Sequence, residues 1–328
     1  MRASRATEFP PDQRGFTLVE LLVAVSVFTL LVLMLSTVFD QVSRTWMRGE
    51  GQIEQRRNVR ALADFIAVEL QAAMLPIEGA SKVGQSNLQF VINPPAKQVP
   101  DEYRHADAFF WQAPLATETS FGEIAEIGYF VKWVAATPDA SPRPTLCRFF
   151  VNPSRENPEE PGVIAGNPAF RIYDADPGAW LSKRLLDSVA PARKADGYTG
   201  LFGDNVLGLW VRATGLDGKE LPRDYDSRTG YDYTHTFHDP SGAIGERTER
   251  RYLPATVRIS LAQIDSRHAP RLDRVGSSLR ALTRSPEIRD AAQFQERCRL
   301  LAQASAPWAA LLPGLRIYAT EVQLINAR

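Results

Sequence analysis

Glu20 is the only charged residue in the stretch from Phe16 to Phe39, FTLVELLVAVSVFTLLVLMLSTVF. A carboxylate at the centre of a membrane helix costs about 2.5–3.5 kcal/mol, and less near an end. Two readings follow: Glu20 meets a cation, or it lies near an interface and its side chain reaches water. A second group of chemistry-bearing residues is His235, His238 and Asp239, behind Asp224 and Asp226. These could hold a small metal ion. The EF-hand order of ligands is absent, however, and a solvated polar loop accounts for the same composition. Cys147 and Cys298 lack zinc-site spacing. They could bridge if this part of the chain folds outside the cytoplasm, a closure worth roughly 4–5 kcal/mol in the chain-entropy model, or they are two separate small hydrophobes in a core. No G-x-S-x-G, H-E-x-x-H, P-loop or G-x-G-x-x-G run occurs. The expectation is therefore a protein without a catalytic site or cofactor.

The element that positions Glu20 is the apolar run itself. At about 1.5 Å per residue, residues 16–39 would span roughly 36 Å as a helix, enough to cross a hydrocarbon core of about 30 Å. The run is longer than the usual apolar region of a secretory signal, and the following DQVSRTW lacks a small-x-small cleavage pattern. Arginines flank it on both sides (Arg2, Arg5 and Arg14 before, Arg44, Arg48, Arg56 and Arg57 after), so charge alone does not orient it. Beyond Asp40 the pattern becomes amphipathic. Val59, Leu62, Ile66, Leu70 and Ala73 recur every three or four residues, which predicts a helix continuing over 40–75 and stopping before Pro76. Gly49 and Gly51 weaken it by about 1 kcal/mol each and mark an expected hinge.

From residue 76 to 328 short apolar or alternating runs lie between turn residues. Strands are expected at 88–92, 108–113, 126–134, 146–151, 169–174, 205–213, 255–264 and 315–325. In the seventh, Val257, Ile259 and Leu261 alternate with Arg258, Ser260 and Ala262, predicting one buried and one wet face. Helices are expected at 177–189 and 286–304. Segments 135–145, 152–167 and 222–250, rich in Pro, Gly and charge, read as surface insertions. Trp111, Trp133 and Trp210 fall in strand patterns and read as core. The fold class is α+β: a long N-terminal helix, its first half transmembrane, packed on a mainly antiparallel sheet with loop insertions. The 328 residues carry 38 basic and 38 acidic side chains, which gives no sign of a nucleic-acid partner.

Gly15-Phe16-Thr17-Leu18-Val19-Glu20-Leu21-Leu22, with Arg14 before it, resembles the processing and methylation motif of type IV prepilins and type II secretion pseudopilins. The resemblance implies that a prepilin peptidase cuts between Gly15 and Phe16, that Phe16 is then N-methylated, and that Glu20 assists assembly. It implies residues 1–15 as leader, 16–39 as transmembrane helix, 40–75 as its continuation and 76–328 as a periplasmic head. The partners would be the peptidase, the inner membrane and other pilin or pseudopilin subunits, with extraction into a filament. Some pseudopilins also hold calcium in a head loop. More loosely, the order Asn205–Leu209, turn, Leu253–Leu261 is similar to the distal sheet of large minor pseudopilins of the type II secretion J kind. The ending LRIYATEVQLINAR is similar to prepilin-like C proteins of a cassette named after Verrucomicrobia. A bulky head implies a tip or initiating subunit rather than a shaft subunit. The alternatives are a single-pass anchored periplasmic binding domain that never polymerises, or an anchored enzyme.

Overall fold

No proline occurs between Leu18 and Gln71, and the chain there forms one α-helix, α1 (Leu18–Gln71). The computed structural model describes residues 18–74, 90–95, 105–117, 123–135, 141–152, 200–239, 242 and 244–327. Gly15, Phe16, the strand expected at 169–174, the helix expected at 177–189 and nearly all of the insertion at 152–167 lie outside the described residues. Two units are distinguished, Met1–Gln55 and Arg56–Arg328. The hinge expected at Gly49 and Gly51 does not break the helix. Glycine lowers helix stability but keeps its N–H, so the i→i−4 ladder continues through it. The helix ends at Gln71, four residues before the expected Leu75. Ala72 and Ala73 N–H turn back to the Glu69 and Leu70 carbonyls, and Met74 N–H is taken by Gln112 O at 3.1 Å.

In the first unit every described side chain from Leu18 to Gln41 is exposed. The hydroxyls of Ser26, Thr29 and Thr37 donate to the Leu22, Val25 and Met34 carbonyls at 2.7–2.8 Å. These three hydroxyls are thus satisfied within the helix, as polar atoms in an apolar medium must be.

Among the described residues of the second unit ten strands form three antiparallel sheets. The first holds β1 (Phe90–Ile92), β2 (Phe109–Ala113), β3 (Ala125–Val134), β4 (Arg143–Val151) and β5 (Gly200–Asp204), in that spatial order. The second has the order β10 (Leu315–Gln323), β9 (Thr256–Ile264), β6 (Val206–Thr214). The third is the ribbon of β7 (Tyr231–His238) and β8 (Ile244–Arg251). Three short helices lie between β9 and β10: α2 (Gly276–Thr283), α3 (Ala291–Ala304) and α4 (Ala306–Leu311). Helix α3 starts later than the expected 286 because Asp290 caps it, accepting a bond from Gln293 N at 2.8 Å.

One core lies under α1. Val59, Ala63, Ile66 and Leu70, the residues of the predicted stripe and their neighbours, pack with Trp111, Tyr129 and Leu146 of the first sheet and Ile259 of the second. A second core lies under α2–α4, where Trp210 meets Phe294 with ring centroids 5.1 Å apart. This second layer corrects the reading of β9. Ser260 and Ala262 are buried rather than wet, because α3 covers them and Ser260 Oγ accepts the Ala291 N–H at 3.1 Å. The insertion expected at 222–250 lies at the surface as expected, but it is not all loop, since it holds β7 and all of β8 except Arg251. Trp111 and Trp210 are fully buried, as expected. Trp133 is half-buried, with the Arg280 guanidinium 5.1 Å over its ring.

The bridge left open between Cys147 and Cys298 is not formed; both thiols are free and buried. Cys147 sits in β4, while Cys298 belongs to the core under the helices. Burial pushes each thiol up to about 12.

Glu69, on α1, is the one charged residue on the buried face of this helix segment among the described residues. Its carboxylate takes a two-pronged bond from Arg148 on β4, with Arg148 Nε 3.1 Å from Oε2 and Nη2 on Oε1. It also accepts the Tyr129 hydroxyl of β3. Arg148 lies 4.2 Å over the Phe150 ring. Burial first, and then the Glu69 charge, raise the Tyr129 phenol well above its ordinary range, so it stays a donor. A buried pair is costly to halve and cheap to replace whole. Arg148→Met should therefore cost about 3–5 kcal/mol in urea unfolding, and the double variant Glu69→Leu, Arg148→Met should recover most of that loss. A single variant as stable as the parent would contradict this. Both thiols should also resist a thiol reagent in the folded chain and react once it is denatured without reductant.

Candidate functional site

The described part of α1 begins two residues before Glu20, which therefore lies in its first turn. Its neighbours are wholly apolar: Leu18, Val19, Leu21 and Leu22 are 81, 70, 61 and 62% exposed. The exposed apolar surface then continues to Phe39 without a buried face. Leu18–Gln41 is a span of 24 residues whose most apolar 18-residue window has a mean hydropathy of 2.7. A large apolar side chain left in water forfeits about 1.5–3 kcal/mol relative to burial. Such a surface requires cover, whether lipid or the apolar helix of a neighbour. Glu20 is the one charged residue between Leu18 and Phe39 and stands near the start of the described part of this surface.

The second group of candidate residues does not assemble. His235 and His238 both stand on β7, three residues apart, and strand alternation sends them to opposite faces. His235 stacks on Tyr233 at 5.4 Å. Asp226 is engaged by Arg228 through both carboxylate oxygens. Among the described residues no three His, Cys, Asp or Glu side chains converge as metal ligands would.

A polar clasp that the sequence did not disclose sits where the two large sheets meet. Asp107 is almost fully buried. It accepts bonds from Asn93 Nδ2 and Arg223 Nε, each at 2.8 Å, and from Val211 N at 2.9 Å. Burial raises its carboxyl from the usual range, and the Arg223 charge works against that rise. The residue before it, Ala106, adopts φ 81°, and Asn93 adopts φ 49°. For alanine this is a strained conformation, tolerated only where surrounding bonds fix it. The Asp107 N–H supplies one, to Leu209 O at 2.7 Å. Arg223 also donates to Pro286 O at 3.2 Å and borders an open cavity of about 720 Å³ with Val91, Pro94 and Pro95. Asp107 joins residues separated by 14, 104 and 116 positions. That separation is why no local spacing announces it.

Comparison with known proteins concerns chiefly the N-terminal segment. Residues 10–36 match the family model of the prokaryotic N-terminal methylation motif. No curated protein matches the chain. Among solved structures, a type IV-like pilin from Thermus thermophilus aligns over 84% of this chain and 98% of its own, with 13% identity and a TM-score of 0.29. That score is too low to establish a common fold for the rest of the chain. An apolar helix near the N-terminus fits a single-pass membrane anchor or a prepilin signal. The N-terminal segment of this chain thus carries a prokaryotic N-terminal methylation motif on an apolar helix, as the resemblance to type IV prepilins and pseudopilins implies.

Proposed function

We propose that the chain is a minor pilin or pseudopilin, a subunit of a type II secretion or type IV pilus-like filament that stands at its tip or starts its assembly. The observation that carries this reading is the first turn of α1. One carboxylate, Glu20, leads an apolar helix whose described side chains from Leu18 to Gln41 are all exposed. In this reading a prepilin peptidase cuts between Gly15 and Phe16, and the new Phe16 amine is methylated without losing its charge. Glycine at the cut leaves the backbone open to close approach. The Glu20 carboxylate of one subunit then meets the Phe16 ammonium of the next. Pairing offsets two desolvation costs and fixes the axial register of neighbouring helices, as single buried polar groups do elsewhere. Until assembly the helix rests in the inner membrane, with residues 76–328 on the periplasmic side. The size of that head favours a low-copy position, since bulky heads crowd a tight helical shaft.

Mass spectrometry of the protein from cells with an active prepilin peptidase should give a chain beginning at Phe16 and carrying one extra methyl group. A chain still holding residues 1–15 would end the proposal. Glu20→Ala should be cut normally yet fall by more than about tenfold in the filament fraction, which corresponds to a lost pairing of 1.4 kcal/mol or more. Normal incorporation of that variant would remove the assigned role of Glu20.

A further inference from the structure

Strands β7 and β8 pair with each other from Tyr231↔Arg251 to His238↔Ile244, and with no other strand among the described residues. A two-stranded ribbon is marginal in water. Its base is held, since the Tyr231 hydroxyl accepts from Leu216 N at 3.2 Å and contacts Leu253 O at 3.3 Å. Further out, the ribbon presents the outer edge of β8, a row of backbone donors and acceptors that can accept another strand.

Charged side chains commonly protect such an edge, and β8 carries Glu246, Arg247, Glu249 and Arg250 about Thr248. Their order is self-complementary. When a second β8 is laid antiparallel with Thr248 opposite Thr248, Glu246 faces Arg250 and Arg247 faces Glu249, each twice. All four of these charge pairs are of opposite sign and Arg251 faces Gly245, which favours an antiparallel neighbour. Sliding by the smallest step that keeps the two faces sets Arg247 against Arg247, or Glu249 against Glu249. The wrong registers are thus penalised by like charge. Within the ribbon Glu249 also holds Arg251 at 2.6 Å and Arg250 also donates to Thr229 O at 3.0 Å, but the ion pairs of Arg247 and Arg250 are largely open to water. Arg247 pairs with Glu249 along its own strand at 3.1 Å with its side chain 68% exposed, and Arg250 pairs with the exposed Asp232 at 2.7 Å. Exposed pairs of this kind contribute little.

We propose that the outer edge of β8 joins two copies of this chain, giving a four-stranded antiparallel sheet with a two-fold axis at Thr248. A two-fold contact of this kind closes on itself and joins two chains only. It does not require the apolar helices to polymerise.

The test is a disulfide trap on the full chain in detergent. Directly opposed residues of antiparallel strands have Cα atoms about 4.5–5.5 Å apart, within disulfide reach. Thr248→Cys should therefore form a covalent dimer on mild oxidation. Thr234→Cys is the control: Thr234 shares the face of Thr248 and touches its hydroxyl at 2.8 Å. Across the dimer, however, it would lie about three strand spacings, or 14 Å, from its counterpart. We expect cross-linking at least tenfold faster for Thr248→Cys. Adding Arg247→Glu should suppress it, and adding Glu249→Arg to that variant should restore it. Equal rates for the two cysteine variants, or no restoration by the second charge change, would overturn the proposal. The cross-link should persist in a Glu20→Ala background; its loss there would assign the contact to helix assembly instead and equally overturn it.

Discussion

A carboxylate and a guanidinium leave water together where α1 meets the first sheet. Glu69 and Arg148 are both nearly fully buried, and the Tyr129 hydroxyl supplies a further donor. Ordinary apolar packing could hold a helix on a sheet in several axial positions, because one leucine contact resembles another. A fork-shaped donor set and a single carboxylate cannot be moved by a turn without stranding both charges. The pair therefore fixes which face and which height of the helix the sheet receives. The apolar contacts of Val59, Ala63, Ile66 and Leu70 then fall into one register. Asn326 Nδ2 adds a clasp at the end of the helix, on Ala73 O at 2.9 Å.

The constraint on the first unit is of the opposite kind. From Leu18 to Phe39 the helix offers an exposed apolar surface, and three of its four hydroxyls, those of Ser26, Thr29 and Thr37, are spent on its own carbonyls. The one charge on that surface is Glu20. One charge among uniform apolar side chains carries little weight in water and considerable weight where water is excluded. A single residue can thus be decisive for how this helix meets its neighbours.

Legibility in the sequence followed the range of the interactions. Strands whose signal is local, such as Phe109–Ala113, Ala125–Val134 and Thr256–Ile264, stand within a few residues of where apolar alternation puts them. The stripe on the last four turns of α1 reads correctly because burial on one helix face is periodic. What escaped was of three sorts. The β7–β8 ribbon has aromatic residues at Tyr231, Tyr233 and Phe237 alternating with Asp232, Thr234 and Thr236, a period-two pattern hidden among turn-forming residues. The covering of β9 by α3 is a tertiary fact that leaves only Ser260 and Ala262, small residues on a supposed wet face, as its trace. Glu69 with Arg148, 79 positions apart, and Asp107 with Arg223, 116 apart, are invisible to any window along the chain. Of the candidate functional residues, Glu20 was legible because it interrupts a uniform background. The histidine pair was not, because strand alternation separates what sequence proximity suggests.

The two free thiols have a consequence for where the head can fold. Neither cysteine contributes a covalent link, and both are buried, Cys298 in the core under the helices. The folded head therefore has one covalent form under reducing and oxidising conditions alike. Its maturation places no demand on disulfide-forming catalysts, and a change of redox compartment leaves its architecture intact.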